Sequence, residues 1–239
     1  MRVLAHFSED AGMMSIFFDG IDMHTRNAAQ IEGIFYNKPI SYEDFELELK
    51  KEKGLVDAGT LNKADAYYIK ARDTAKMVGF KMNYGGGADD INGISWDFVD
   101  AYYKAIPEVK IYKKAHELYV EGRGYTTKLL GGRRRTPEVA DPVMWKRSAA
   151  HRQSFSAHIQ GSAADLMKLS MILIGEYMEE NKIPCFMVAQ VHDEIVLECR
   201  NDFVEHMMEK TQYFMENCYK MRVPLEAVPS FGSSWAEAK

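Results

Sequence analysis

Cysteine is scarce in this chain. Cys185, Cys199 and Cys218 are the only three among 239 residues. Their odd number and wide spacing offer no zinc-type site and point to a reduced intracellular compartment, the cytoplasm. No run of eighteen apolar residues exists, so no spanning helix is expected. The opening Met1–His6 stretch lacks a secretory apolar core. Internal repeats and low-complexity tracts are missing as well. What remains is the composition of a globular protein, 46% hydrophobic and 27% charged, long enough for one large domain or two small ones.

A net charge of −5 argues at first against polyanionic partners, but it averages over an asymmetry. Between Glu108 and Arg152, eleven Lys/Arg face five Asp/Glu, leaving +6, and the remaining residues carry −11. Local basic patches decide phosphate binding more than the total does. A solvated charged surface fits the charge alone equally well.

Along the chain, the first forty residues read as helix-rich. A polar, acidic and lysine-rich stretch at 41–63 reads as a peripheral helical insertion. Helical pattern resumes over about 64–84 and stops at Gly85-Gly86-Gly87. Phe98, Tyr102, Ile106 and Val109 recur at helical steps and predict one helix over 96–120. Residues 121–137 read as a hairpin or irregular loop, and a long helix is expected over about 145–181. Residues 186–191 and 195–199 are β-rich runs that predict a tight hairpin with His192-Asp193-Glu194 at its tip. Asp202 to Glu205 resembles a capping box opening a last amphipathic helix.

Three stretches carry chemistry. Two adjacent carboxylates at a hairpin tip, Asp193 and Glu194, suit a hard cation such as Mg²⁺, although an isolated triplet of this kind reads more plainly as a solvated acidic turn. Arg72, Lys76, Phe80 and Tyr84 recur every four residues. The stripe drifts only about 40° per step and stays near one helix face. Two cations followed by two aromatics suit a nucleoside triphosphate, with charge for the phosphates and rings for base and sugar. An amphipathic helix with snorkelling cations and buried rings has the same pattern. Arg152 and Gln160, just over two turns apart, can hydrogen-bond a nucleic-acid backbone or minor-groove acceptors.

Their combination and order resemble one family. "RDTAKMVGFKMNYGGG" is similar to the fingers helix of family A DNA polymerases, R-x-x-x-K-x-x-x-F/Y-x-x-x-Y-G. "QVHDEIVLE" resembles that family's third palm motif and "SFSAHIQGSAADLMK" the helix between the two. "RVLAHFSEDAGM", "DMHTRNAA" and "VPLEAVPSFGSSW" are similar to the end of the first palm motif, the segment opening the fingers, and the C-terminus.

The resemblance implies an α+β right-hand polymerase fold, with a helical fingers subdomain (24–144) inserted in a palm (1–23 and 145–239) that holds a small antiparallel sheet. It implies template-directed transfer of a deoxynucleotide from dNTP to a primer 3′-OH by two Mg²⁺ ions. Asp193 would bind metal, with Glu194 in support. Arg72, Lys76 and His24 would meet the triphosphate, Phe80 the sugar, and Tyr84 the pocket's closing face. His192 would contact the primer terminus, Arg152 and Gln160 the primer–template, and Arg133-Arg134-Arg135 the phosphates. Phe at position 80 implies discrimination against dideoxynucleotides.

Ser156 and His158 stand where bacterial members usually carry Asn and Pro, which puts template contacts there in doubt. The glycine triplet is closer to phage-type members, implying a phage origin and the host cytoplasm. The family's first motif, roughly D-Y-S-Q-I-E-L-R, aligns with Met1 just after its Glu. The second metal carboxylate is therefore expected from an upstream polypeptide, which would also carry the thumb and possibly an exonuclease, and this chain alone is expected to be inactive. A split gene, a fragment or a relic all fit, the split gene best because the break falls at a methionine. A non-catalytic DNA-binding remnant and a single-subunit RNA polymerase are the competing readings.

Overall fold

The computed structural model describes residues 1–83 and 96–238. Nine helices and two two-stranded antiparallel sheets occur among these residues. The helices are α1 Arg2–Ser8, α2 Ala11–Phe18, α3 Met23–Phe35, α4 Tyr42–Asp57, α5 Tyr67–Asn83, α6 Trp96–Ala105, α7 Pro107–Arg123, α8 Met144–Glu180 and α9 Val204–Asn217. The strands are β1 Tyr125–Thr127, β2 Arg133–Arg135, β3 Cys185–Val191 and β4 Glu194–Cys199. This is the mostly helical architecture with small antiparallel sheets expected from sequence. None of the described helices is long and apolar enough to cross a membrane.

Local chemistry sets the helix starts. Asp10, Asp22 and Ser41 each accept from backbone amides at the starts of α2, α3 and α4, satisfying donors that have no partner inside the helix. Asp10 reaches further. It is fully buried, and besides Met13 N it accepts from Glu108 N at 3.2 Å, so one carboxylate closes the starts of both α2 and α7. Burial, with a hydrogen bond to the Glu108 side chain, pushes its pKa up to about 6.

The structure differs from the expected single helix over 96–120. It breaks at Ile106 (φ −138°) because Pro107 lacks an amide hydrogen and restricts the residue before it, leaving α6 and α7. The expected capping box at Asp202 does not form either. The Asp202 carboxylate pairs with Arg200 at 2.6 and 2.7 Å, and a short 3-10 turn, Asn201–Phe203, leads into α9.

The stretch read as an insertion, 41–63, forms α4, whose Phe45 and Leu49 are buried in the main core. From the same helix, Glu52 accepts from Tyr67 N and Ile69 N and so caps the start of α5. That core takes residues from α1 through α8. A second cluster joins the far end of α8 to β3, β4 and α9, and a third joins α7, the turn at Pro137–Ala140 and the start of α8. The 37-residue α8 contributes to all three.

Candidate functional site

Two chemically opposite surfaces stand on these cores. The first is the outer face of α5. Ala75, Val78, Gly79 and Met82 face inward and are buried, which turns Arg72, Lys76 and Phe80 outward. Arg72 is not free. Its guanidinium donates to the Asp22 carboxylate at 2.5 Å and to Thr25 Oγ1 at 3.2 Å. Asp22 already accepts from His24 N (2.8 Å) and Thr25 N (3.0 Å), so one carboxylate caps α3 and locks α3 to α5. Burial alone would push that carboxyl up, but Arg72 and the two amides outweigh it and hold it below the usual range.

Lys76 is exposed and has no ion pair among the described residues. The His24 ring lies 5.5 Å from that of Phe80, and its Nδ1 is buried without a hydrogen-bond partner. Burial, together with Arg72 and Lys76, lowers its pKa despite the opposing pull of Asp22. His24, Arg72, Lys76 and Phe80 thus form one patch of two cations, an imidazole and an exposed ring. Tyr84 and the glycine triplet lie outside the described residues.

The second surface is the tip of the β3–β4 hairpin. Val191 pairs with Glu194, leaving His192-Asp193 as a two-residue turn. His192 takes a left-handed φ of 55°, as the mirror-image turns that match strand twist require. The Gln190 side-chain amide donates to its carbonyl. Asp193 is exposed and makes no hydrogen bond or ion pair among the described residues. Glu194 accepts from Trp235 Nε1 at 2.9 Å, which ties the C-terminal segment to the tip. No group of three or more His, Cys, Asp or Glu is gathered for a metal among the described residues. A bare carboxylate beside a half-engaged one still fits Mg²⁺, which is commonly held by one or two carboxylates plus substrate phosphates and water.

A basic surface completes the set. Arg133, Arg134 and Arg135 form β2 and are all exposed, with Arg133 stacked 4.8 Å from the centre of the Tyr125 ring. Arg152 and Gln160 are exposed on α8. The β1–β2 turn is fastened to α8 by contacts that the sequence reading missed. Lys128 Nζ pairs with the buried Asp165 at 2.6 Å, and Leu129 N and Leu130 N donate to Ser162 Oγ and Asp165. The Lys128 stem lies against Gly161, where a Cβ would meet it at 2.6 Å. The signal lay within "QGSAAD", whose Ser162 and Asp165 sit three apart on one helix face.

His158 is an interior joint. It is 6% exposed, and its Nδ1 must donate to the Thr127 carbonyl (2.5 Å), so Nε2 accepts from Tyr112 Oη (2.5 Å). The neighbouring His116 bonds Thr126 Oγ1. Burial, then His158 and His151, push its pKa down to about 3.

Comparison with known proteins decides the family, since the sequence profile of DNA polymerase family A matches residues 60–237. This chain belongs to DNA polymerase family A. It is 32% identical over 246 aligned residues to the thermostable DNA polymerase I of Thermus filiformis and 28% identical to DNA polymerase I of Pseudomonas aeruginosa. All of the chain aligns in both cases, yet it spans only 26% and 24% of those relatives. In structure it is similar to the POL domain of Pol1 from M. smegmatis, solved in complex with DNA primer-template and dNTP. The TM-score is 0.83 at 26% identity, covering 99% of this chain and 38% of that one. The family A fold therefore extends across both charged surfaces.

Proposed function

We propose that this chain contributes the triphosphate-binding face and one metal carboxylate to template-directed DNA synthesis, the transfer of a deoxynucleotide from dNTP to a primer 3′-OH. The observation that carries the reading is the pairing, within one family A fold, of the His24–Arg72–Lys76–Phe80 patch with the unpaired Asp193. Arg72 and Lys76 bind the β- and γ-phosphates and neutralise the developing pyrophosphate. Arg72 does so by exchanging the Asp22 carboxylate for a phosphate oxygen, a like-for-like swap of anionic acceptors. His24 adds a contact to the triphosphate, Phe80 stacks near the sugar, and Tyr84 closes the pocket.

Asp193 holds Mg²⁺, with Glu194 oriented beside it by Trp235. When bound, two Mg²⁺ ions lower the pKa of the primer hydroxyl and stabilise charge on the attacking and leaving oxygens. His192 contacts the primer terminus, Arg152 and Gln160 the primer–template near it, and Arg133, Arg134 and Arg135 the phosphates.

The second metal carboxylate comes from polymerase sequence outside these 239 residues. Phe186 and Val188, 69% and 54% exposed on the outer face of the hairpin, support a docking face for that segment. A separate N-terminal polypeptide is the donor that a split gene supplies. The work is cytoplasmic, in the host cytoplasm for a phage-encoded enzyme.

Primer extension with Mg²⁺ and dNTPs tests the reading, using this chain alone and then mixed with the product of the gene immediately upstream. Extension only in the mixture, lowered on the order of 10³-fold by Asp193→Ala, is expected. Extension indifferent to Asp193→Ala would sink the metal assignment. Retained primer–template binding without extension in either case would leave a DNA-binding remnant. In the active mixture, Phe80→Tyr is expected to raise dideoxynucleotide incorporation several-fold, on the scale of one added hydrogen bond, and unchanged incorporation would remove Phe80 from the sugar.

A further inference from the structure

The hairpin that presents Asp193 carries two of the three cysteines at its base. Cys185 and Cys199 are direct cross-strand partners, the first pair of the β3–β4 ladder. The hydrogen bonding around them identifies the kind of pair. Arg200 N donates to Pro184 O at 3.1 Å, one residue outside the pair on each strand, while Cys185 N turns away to Ile183 O at 2.8 Å. That pattern makes Cys185 and Cys199 a non-hydrogen-bonded pair, the closer of the two antiparallel spacings, with Cα atoms about 4.5 Å apart. Disulfides need Cα separations of roughly 4.4–6.8 Å with both Cβ atoms on one side. Directly opposed residues share a face, and here that face is the interior, against Ile174, Met178 and Met207. Cys185 is buried and Cys199 half-buried, whereas Cys218 packs against the separate main core.

We infer that Cys185 and Cys199 form a reversible redox pair, closed to a disulfide by exchange with low-molecular-weight disulfides such as glutathione disulfide. The Cys199 thiolate, the more accessible of the two, attacks the small disulfide and releases one thiol while a mixed disulfide forms on Cys199. Cys185 then gives up its proton, attacks the Cys199 sulfur and displaces the second small thiol. Two protein thiols lose two electrons, one small disulfide gains them, and both protons end on the released thiols. Burial and a hydrogen bond with Cys199 push the Cys185 pKa up to about 12, so the closing step quickens as pH rises. The product is a closed ring from 185 to 199 with the Asp193-Glu194 tip at its far end. The ring pins the strand register against the irregularity between Met187 and Ala189.

The full 239-residue chain is exposed to glutathione disulfide at pH 8, quenched in acid, alkylated with N-ethylmaleimide after denaturation and weighed intact. The expected change is from three alkylated thiols to one, with a peptide joining Cys185 to Cys199 after digestion. Cys218→Ser should go from two to none, and Cys199→Ala should form no internal bond. Three alkylated thiols after prolonged exposure, a glutathione adduct that persists on Cys199, or a bond to Cys218 would each overturn the inference. The readout needs no polymerase activity, so it stands or falls apart from the proposed function.

Discussion

Among the described residues, two hairpins rest on one long helix, and they are held by opposite means. The β1–β2 hairpin is short, basic and fastened by polar contacts: Lys128 to Asp165, Leu129 to Ser162, and His158 and His116 to Thr127 and Thr126. The β3–β4 hairpin is longer, ends in carboxylates and rests on an apolar seam of Ile174, Met178, Cys185 and Met207. Two strands of three residues cannot bury enough side chain to hold themselves, so charge and hydrogen bonds do that work. The longer hairpin alternates inward and outward side chains and is held by burial, leaving its polar tip free for chemistry. Anchoring by polar contacts is directional and sensitive to pH, whereas an apolar seam is neither.

Asp165→Ala should separate the two most. It strips the partner from Lys128, which is only 27% exposed, and an acceptor from Leu130 N, at a cost of about 3 kcal/mol. Hydrogen exchange should quicken at the Leu129 and Leu130 amides and leave those of Ile195 to Leu197 unchanged. Equal loss in both hairpins would end the idea of separate anchoring.

Acid should act on the same side. The folded-state pKa of His116 lies below the ordinary imidazole value, so the unfolded chain binds the proton better. Its stabilising contribution is complete above about pH 6.5 and declines as pH falls toward 3. Between pH 7 and 5 that decline is about 2 kcal/mol. Urea unfolding as a function of pH should show it, and His116→Phe should flatten that part of the slope. The smallest effect belongs to the exposed guanidinium of Arg134, where Ala should weaken duplex binding across all sequences and lower the salt-dependence slope by about 1.

Much of this could be read from residue order. The α5 stripe was legible because a four-residue spacing maps onto one face, and the β3–β4 tip because two β-rich runs flank a polar triplet. Asp22, Thr25, Trp235 and the Lys128–Asp165 bridge were not. Each joins residues 37 to 50 positions apart, and no local periodicity reports which distant carboxylate an arginine will meet. The burial of His158 was not legible either, since its partners Tyr112 and Thr127 lie 46 and 31 positions away. The break at Ile106 was written in Pro107, yet the apolar spacing of Phe98, Tyr102, Ile106 and Val109 runs straight through it.

The long helix α8 acts as a ruler. Asp165 fixes one hairpin to it and Ile174 the other, nine residues or about 14 Å apart along the axis. A single residue inserted between them would lengthen that gap by only about 1.5 Å but would turn the second hairpin by about 100° around the axis. The arginines and the carboxylates would then face different directions. Phase is the tighter constraint on this stretch, and length changes there should be tolerated only in whole turns.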